Sequence, residues 1–345
     1  MEMLTRARGA LYGLAIGDAL GMPTQMLSRA EIVRRWGPLL PGFEPAPPGH
    51  PIAAGMSAGV VTDDTEQAVL LARLLVKGCG TIDPHELATA LTEWERAMAE
   101  RGSLDLLGPS TKRAVAAILA GVPPDEAGAA GTTNGAAMRI APVGIAVPVA
   151  LHARTPDVRL STLVDHVVRA SSVTHNTGIA LAGAAAVAAA VSAGVSGATV
   201  AQATALGVQA ARLAAGRGHW VAGADVAARI EWAAGLVTGH HQEVAANLIY
   251  TLVGTSLATQ ESVPAAFAVL AAVPADPWRA CRLAASLGGD CDTIAAMTGA
   301  IAGACHGVGS FPPKAIAAID AQGLGLAALV GELLALRDQH GNEAS

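Results

Sequence analysis

Two aspartates near the C-terminal end of the chain stand inside an otherwise apolar stretch. Asp290 and Asp292 lie between the segments 283–287 and 294–297, which consist of Leu, Ile, Met, Ala and a single Ser. A bare carboxylate in such surroundings costs several kcal/mol unless its charge is compensated. The fold must therefore supply compensation at this point, and a bound cation is the form that we expect.

A second acidic pair lies far upstream, in Thr62-Asp63-Asp64-Thr65, directly before the apolar run 68–76. Both pairs fall at predicted helix starts, where free backbone N–H groups and the helix dipole favour ionised carboxylates. A helix N-cap explains one acid in each pair but not its neighbour, because adjacent like charges repel. If the two clusters meet, they bring four carboxylates and three threonine hydroxyls to one place.

The donor atoms of these clusters predict the kind of cation. They are oxygens, with no His or Cys pair at metal spacing nearby, which favours Mg²⁺ first and Mn²⁺ or Ca²⁺ next. A Cys291 thiolate ligand is the alternative, although its side chain is expected to point away. Because four acids exceed the usual demand of one Mg²⁺, we predict two ions about 3.5–4 Å apart.

The apolar residues recur with the helical period and never alternate cleanly, so the predicted fold is all-α. Hydrophobic residues make up 52% of the 345 positions, and no break in composition divides them. We therefore predict one many-helix domain over residues 1–338 and a disordered tail over 339–345. In the first helix, at about 4–20, Gly13, Gly17 and Gly21 recur every four residues, which is typical of close helix packing.

The remaining helix boundaries follow from caps, prolines and glycines. A capping box at Ser28-x-x-Glu31 and an N-cap at Asp83-Pro84 mark two helix starts. Between the helices, the Pro- and Gly-rich segment 37–59 is predicted to be a long surface loop. Helices are predicted at 28–36, 63–77, 83–100, 109–120, 136–150, 159–171, 178–193, 198–215, 223–237, 244–257, 277–287 and 290–306, with a last helix ending near Asp338.

Composition narrows the setting of the protein. The uncharged run 178–211 is mostly Ala, Gly and Val, and Ala has little tendency to insert into a membrane, so a buried helix pair is favoured over a membrane span. The net charge of −6, without basic clusters, argues against a nucleic-acid partner. The absence of a signal-peptide pattern predicts a cytoplasmic protein, and the four cysteines are expected to be reduced. The oligomeric state stays open.

Five short motifs carry a resemblance to a known family. They are Gly13-Leu-Ala-Ile-Gly-Asp-Ala-Leu-Gly21, Thr62–Thr65, Asn134–Pro142, Thr174-His175 and Gly289-Asp-Cys-Asp-Thr293. In this order they resemble the ADP-ribosylglycohydrolase family, which includes the enzyme that removes ADP-ribose from dinitrogen reductase. The resemblance implies an all-α fold with a dinuclear magnesium site in a central cleft.

The resemblance also implies the reaction, which is hydrolysis of the glycosidic bond of ADP-ribose on a protein or small-molecule partner. Two Mg²⁺ ions, with Mn²⁺ possible in their place, would hold the ribose hydroxyls and a water. Asp63, Asp64 and Asp290 would be catalytic through these ions. Asp105 resembles an acid near the substrate and is a possible general base, the alternative being a solvent-facing loop acid. The implied metal ligands are Thr62, Asp63, Asp64, Asp290, Asp292 and Thr293.

A substrate-binding set follows from two of the motifs. The run 131–135 precedes an apolar helix, so its backbone amides could bind a diphosphate. The residues alone favour a plain loop at this point, whereas the resemblance favours a diphosphate site. His175 matches the family's phosphate-contacting histidine, although a lone His after an apolar run is otherwise more often buried. Arg139 is expected to brace the fold more than to bind phosphate. The diphosphate run consists of Gly131, Thr132, Thr133, Asn134 and Gly135.

Gln25 departs from the family pattern, in which many members carry a glutamate beside the metals and the scissile bond. An amide can ligate or donate a hydrogen bond but cannot act as a base. The departure therefore leaves two alternatives to the ADP-ribosyl hydrolase. One is a glycohydrolase of another N-ribosyl nucleoside or nucleotide, and the other is a non-catalytic ADP-ribose-binding module.

Overall fold

Helices are the main element of the structure, a computed structural model that describes residues 1–102, 107–151 and 158–343. Of the described residues, 69% are helical and none forms a strand, which confirms the all-α prediction. The helices form a single compact domain. They are α1 Glu2–Gly21, α2 Arg29–Trp36, α3 Asp63–Lys77, α4 Pro84–Glu100, α5 Pro109–Leu119, α6 Pro124–Ala127, α7 Gly135–Arg139, α8 Ala141–Ala146, α9 Val158–His175, α10 Gly178–Val195, α11 Val200–Ala214, α12 Val226–Val237, α13 Gln242–Leu248, α14 Thr259–Ala272, α15 Pro277–Ala285, α16 Cys291–His306, α17 Pro313–Asp320 and α18 Leu326–Glu343.

The first helix packs antiparallel against α16 through its glycines. A Cβ atom added to Gly13 would lie 2.1 Å from the Gly299 carbonyl oxygen, and one added to Gly17 would lie 2.0 Å from the Ala295 carbonyl oxygen. At the end of α1, a Cβ on Gly21 would lie 2.2 Å from the Cα of Asp292. The backbones touch where side chains would keep them apart, which confirms the interpretation of the glycine spacing. The same contact fixes where α16 begins relative to α1.

The Ala-rich helix α10 lies in the middle of the fold. It packs against α8, α9, α11 and α16. By length and composition α10 is apolar enough to cross a membrane, but 89% of it is buried inside the protein. Its neighbours in the fold therefore account for its lack of charge, as predicted for the run 178–211.

The predicted caps are present. The Ser28 hydroxyl accepts a hydrogen bond from the Glu31 N–H at 3.3 Å, and the Asp83 carboxylate accepts one from the Glu86 N–H at 2.9 Å. Each satisfies a backbone donor that the helix itself leaves free. The boundaries of α2 and α4 accordingly match the sequence prediction.

Helix α14 was absent from the sequence prediction. Helix α14 contains Pro264, which has no N–H to donate to the carbonyl of Gln260 four residues earlier and normally breaks a helix. Here Arg229 compensates, because its Nε donates to that carbonyl at 2.5 Å. A side chain from α12 therefore allows a helix that the local sequence disfavours.

Further boundaries also differ from the prediction. The predicted helix 136–150 is two short helices, α7 and α8, and the predicted helix 244–257 is α13 followed by a π-helix, Ile249–Val253. Helix α17 was not predicted. Helix α18 continues to Glu343, past the predicted end near Asp338 and into the segment expected to be a disordered tail.

The segment 37–59 is more than a surface loop, because part of it is buried against the body of the protein. Leu40, His50 and Ala53 are buried. The His50 ring accepts from the Ala53 N–H at 2.9 Å through Nδ1, so its Nε2–H donates to the Gln25 carbonyl at 2.9 Å. This histidine ties the loop to the backbone of Gln25.

Candidate functional site

The first acidic cluster is held in place by Asp18 of α1. The N–H and hydroxyl of Thr62 donate to the Asp18 carboxylate at 2.9 and 2.7 Å, and those of Thr65 donate to it at 3.1 and 2.5 Å. One buried carboxylate therefore binds both threonines that flank Asp63 and Asp64. The start of α3 is thereby fixed against the end of α1.

Asp18 was not singled out from the sequence, although it lies inside the first motif. It is fully buried, and burial outweighs its four hydrogen bonds and raises the pKa of its carboxyl group to about 6. The available signal was an acid on the inner face of an otherwise apolar helix. Such a residue needs a specific partner, but the sequence does not say where that partner is.

The second cluster begins with a tight turn at Gly288 and Gly289, both at positive φ. A Cβ on Gly289 would lie 2.3 Å from the Thr255 carbonyl oxygen, which accepts the Asp290 N–H at 2.7 Å. Glycine is needed here for its conformation and for the close approach of the two backbones. The turn aims Asp290 and the first residues of α16 at the start of α3.

The two clusters meet at Asp64. The Thr293 hydroxyl donates to Asp64 Oδ2 at 3.1 Å. Asp64 is only 1% exposed, and the pKa of its carboxyl group is raised well above the usual value. Burial is the largest cause, followed by the charges of Asp292, Asp63, Asp18 and Asp290. The two helix starts, far apart in sequence, are therefore neighbours in the fold.

This environment suits a cation. The charges that shift the pKa of Asp64 most, those of Asp292, Asp63, Asp18 and Asp290, all belong to acids, and Asp64 Oδ1 is buried with no hydrogen-bond partner among the described residues. Carboxylate and hydroxyl oxygens in this setting match a hard divalent ion. No three acidic, His or Cys side chains of the described ranges converge as a finished metal cage, so the dinuclear site stays a prediction.

Asp290 is braced by Asn134. The Asn134 side-chain amide donates to Asp290 Oδ2 at 2.5 Å and to the Ser262 hydroxyl at 3.0 Å. Burial raises the pKa of Asp290 to about 6, against the lowering effect of the hydrogen bond from Asn134. The structure thus places Asn134, predicted to bind substrate, against a predicted metal ligand. Ser262 belongs to the same arrangement and had no sequence signal.

A cavity of about 210 Å³ opens beside the acids. A second cavity, of about 350 Å³, shares Ile52 and Asp63 with it and also contacts Thr62. The two cavities therefore adjoin at the start of α3. Of the predicted site residues, the first cavity is lined by Gln25, Asp63, Thr133, Asn134, Gly135, Asp290, Asp292 and Thr293.

The run 131–135 differs from the predicted amide cradle. The Gly131 N–H donates to Gly128 and the Asn134 N–H to Leu257, at 2.9 and 3.0 Å, so neither amide is available for an anion. The helix that follows has only five residues. Gly131 and Thr132 are not in the cavity wall, and a Cβ on Gly131 would lie 2.2 Å from the Thr174 carbonyl oxygen. Their backbones instead pack the loop against neighbouring segments.

His175 lies behind the cavity wall. It is fully buried, and its Nε2 is 3.0 Å from the Thr133 hydroxyl, which does line the cavity. Burial, with help from Arg139 and Arg113, lowers the pKa of His175 well below its usual value. The sequence predicted that His175 contacts a phosphate directly. In the structure Thr133 lies between the His175 ring and the cavity.

Three further residues complete the comparison with the sequence prediction. Gln25 lines the cavity and is 3% exposed, and its side-chain nitrogen has no hydrogen-bond partner in the described part of the chain. The Cys291 thiol lies 3.2 Å from the Thr24 hydroxyl, and burial raises its pKa, which does not favour a thiolate ligand. Asp105 lies outside the described residues.

Comparison with known proteins identifies the family of the chain. The sequence profile described as ADP-ribosylglycohydrolase matches residues 1–343. The chain is 37% identical over 317 residues to the uncharacterised protein YegU of Escherichia coli K12, covering 92% of each. It is 30% identical over 153 residues, 41% of this chain and 44% of the other, to the ADP-ribosyl-[dinitrogen reductase] glycohydrolase of Rhodospirillum rubrum.

A solved structure extends the similarity to the fold. An ADP-ribosylglycohydrolase-related protein complex superposes with a TM-score of 0.69 and 26% sequence identity, over 97% of this chain and 99% of that one. Both the sequence profile and the superposition span nearly the full length. The chain belongs to the ADP-ribosylglycohydrolase family.

Proposed function

We propose that the protein is a Mg²⁺-dependent hydrolase that cleaves the glycosidic bond of ADP-ribosyl groups on protein side chains or small molecules. The observation that carries the proposal is the hydrogen bond from Thr293 to Asp64, which joins the two acidic clusters beside one cavity. Membership of a glycohydrolase family gives the class of reaction. The substrate, the metal and the assignment of residues are parts of the proposal.

The acids would hold the metal, and the surrounding residues would hold the acids. Asp18 fixes the start of α3 through Thr62 and Thr65, and Asn134 orients Asp290. Bound Mg²⁺ supplies positive charge that orients sugar hydroxyls and acidifies water. The ligands would be Thr62, Asp63, Asp64, Asp290, Asp292 and Thr293.

The cavity wall would position the substrate over these acids. Asp63, Asp290, Asp292 and Gln25 all line this cavity, so the ribose would lie against the acids with Gln25 in the same wall. Thr133 lines the same cavity and would offer a hydroxyl to the rest of the ligand. Gln25 can donate or accept a hydrogen bond at the departing group but cannot remove a proton.

A substrate panel tests this proposal. Purified protein is incubated with ADP-ribosyl-arginine, ADP-ribosyl-serine and ribosyl nucleosides, each with Mg²⁺ and with EDTA. We expect release of ADP-ribose from at least one ADP-ribosyl compound, only when Mg²⁺ is present. Protein that binds Mg²⁺ in calorimetry yet turns over none of the panel would refute it.

The amide at position 25 supports a second candidate, an ADP-ribose-binding module without hydrolytic activity. Gln25 is buried in the cavity wall with a side-chain nitrogen that has no partner among the described residues, so it is placed to bind a ligand. Micromolar binding of ADP-ribose, together with no turnover of the whole panel, is the result expected for this candidate. Turnover of a ribosyl nucleoside alone would instead identify an N-ribosyl hydrolase.

A further inference from the structure

A chain of hydrogen bonds runs behind the cavity from the acidic cluster to Thr133, and Arg139 lies at its centre. Arg139 is 1% exposed. Its Nη1 donates to Gln67 Oε1 at 2.9 Å and its Nη2 donates to the Thr174 hydroxyl at 2.6 Å. The guanidinium group has donors only. Both arms of the chain must therefore start by accepting a hydrogen from Arg139.

The first arm ends on Asp63. Because Gln67 accepts from Arg139 through Oε1, its Nε2 faces the other way and donates to Asp63 Oδ2 at 2.8 Å. The amide cannot be turned around, since its nitrogen would then face the guanidinium group and its oxygen would face a carboxylate. Arg139 thus fixes which end of Gln67 holds Asp63.

The second arm runs through His175. The Thr174 oxygen accepts from Arg139 and lies 2.7 Å from His175 Nδ1. In the described part of the chain the Thr174 hydroxyl has no third hydrogen-bond contact, so its one hydrogen goes to Nδ1. The reverse direction would leave that hydrogen buried with no acceptor. His175 therefore accepts at Nδ1 and carries its own hydrogen on Nε2.

The end of this arm reaches the cavity. The Nε2–H of His175 donates to the Thr133 oxygen at 3.0 Å, which leaves the Thr133 hydrogen to point elsewhere. Thr133 lines the cavity. The low pKa of His175, caused by burial, Arg139 and Arg113, agrees with a neutral ring that has only one N–H.

We infer that Arg139 is a positioning residue that sets the donor-to-acceptor direction of every hydrogen bond in this series. As a result, the Thr133 hydroxyl donates into the cavity while Gln67 donates to Asp63. The ligand group at Thr133 is then an acceptor without hydrogens, such as a phosphate oxygen. This identification of the ligand group rests on the proposed function, whereas the direction of the hydrogen bonds does not.

The direction of the hydrogen bonds is measured through the tautomer of the His175 ring, by NMR of the full-length ¹⁵N-labelled protein at pH 7 in EDTA. His175→Asn identifies the ring signals of His175. We expect the tautomer with its hydrogen on Nε2 in the wild type. Thr174→Ser keeps the hydroxyl and this tautomer, whereas Thr174→Val has nearly the same volume but no hydroxyl and loses the preference for Nε2–H. A wild-type ring protonated at Nδ1 would overturn the inference.

The consequence for the ligand is measured with ADP-ribose by calorimetry, also in EDTA. In Thr174→Val the His175 ring is shared between its two tautomers, so in about half of the molecules the Thr133 hydrogen points back to His175 and affinity should fall about twofold. Thr174→Ser should bind like the wild type. Thr133→Val leaves Arg139 untouched, and it should lose about tenfold in affinity with the His175 tautomer unchanged.

These outcomes separate the inference from the proposed function. If Thr133→Val and Thr174→Val fold and bind ADP-ribose as tightly as the wild type, Thr133 does not donate to the ligand and the inference is wrong, whatever the hydrolysis assay shows. If the wild type neither binds ADP-ribose nor hydrolyses the panel, the proposed function fails. The tautomers of the wild type and of the two Thr174 variants then still decide the direction of the chain.

Discussion

The hydroxyl of Thr293 lies 3.1 Å from a carboxylate oxygen of Asp64, although the two residues belong to helices at opposite ends of the chain. The contact brings Asp64 into the field of Asp290 and Asp292 as well as Asp63. A buried acid surrounded by acids is unfavourable unless a cation is bound. The stability of this protein should therefore depend on divalent ions.

Replacing Asp64 by Asn tests that dependence. The change removes a repelled charge, so in EDTA the variant should be more stable than the wild type by about 1–2 kcal/mol. The rise in melting temperature that Mg²⁺ gives the wild type should be largely lost. Thermal melts in EDTA and in Mg²⁺ measure both effects, and Asp125→Asn at an exposed acid is the control. Equal stabilisation of Asp64→Asn and wild type by Mg²⁺ would contradict the assignment of Asp64 as a ligand.

A pair of glycine substitutions tests the contact between α1 and α16. Gly13→Ala would place a Cβ 2.1 Å from a backbone oxygen of α16, and we expect a loss of about 3 kcal/mol or more from the forced separation. Gly331→Ala, in the middle of α18 with open space around it, should gain about 0.5–1 kcal/mol from helix propensity. Urea denaturation of both variants gives the comparison. Similar effects at the two positions would mean that the backbones of α1 and α16 are not in contact.

Gln25→Glu tests how the amide in the cavity wall affects Mg²⁺ binding and catalytic rate. A further carboxylate beside Asp290 and Asp292 should tighten Mg²⁺ binding about tenfold. If position 25 contributes to the chemical step, the variant should also raise kcat by about tenfold or more with little change in KM. Gln25→Met, similar in volume and unable to form hydrogen bonds, is the matched control. A Glu variant that is indistinguishable from the Met variant in both measurements would remove position 25 from the site.

The buried ring of His166, which belongs to neither acidic cluster, should make the free energy of unfolding depend on pH. Burial, then His340 and Arg169, lower the pKa of His166 below 6.5 in the folded protein. The unfolded chain therefore binds more protons than the folded one below pH 6.5, and stability falls as the pH is lowered through that range.

The measurement is a comparison of variants. Between pH 7.5 and 5.5, His166→Gln, which can still donate to the Gly80 carbonyl, should lose less stability than the wild type by about 0.5 kcal/mol. His240→Gln, at an exposed position, should follow the wild-type curve. Parallel curves for wild type and His166→Gln would show that this ring does not titrate on unfolding.

Much of this arrangement could be predicted because its signals are local. The Asp63 and Asp290 clusters can be recognised by their charges next to apolar segments, and the glycine spacing of α1 indicates a close helix contact. The clusters could be expected to meet, since each left charge uncompensated. No local pattern, however, could give the distance between them.

The remainder depends on partners that are distant in sequence. Asp18 acquires its role only through Thr62 and Thr65, and α14 tolerates Pro264 only because Arg229 supplies the missing donor. His175 was placed in the site by its motif, but its burial behind Thr133 follows from the packing of α9. In each case the deciding contact joins separate helices, and a reading of one segment cannot include it.

Helix α1 contacts both acidic clusters, through Asp18 at one and Gly21 at the other. Helix α1 is synthesised well before α16, so its glycines meet their partner only after the chain between the two helices has been made. Chains released early therefore contain the Asp63 cluster without the Asp290 cluster. Such fragments lack half of the proposed site, which is complete only after α16 has been synthesised.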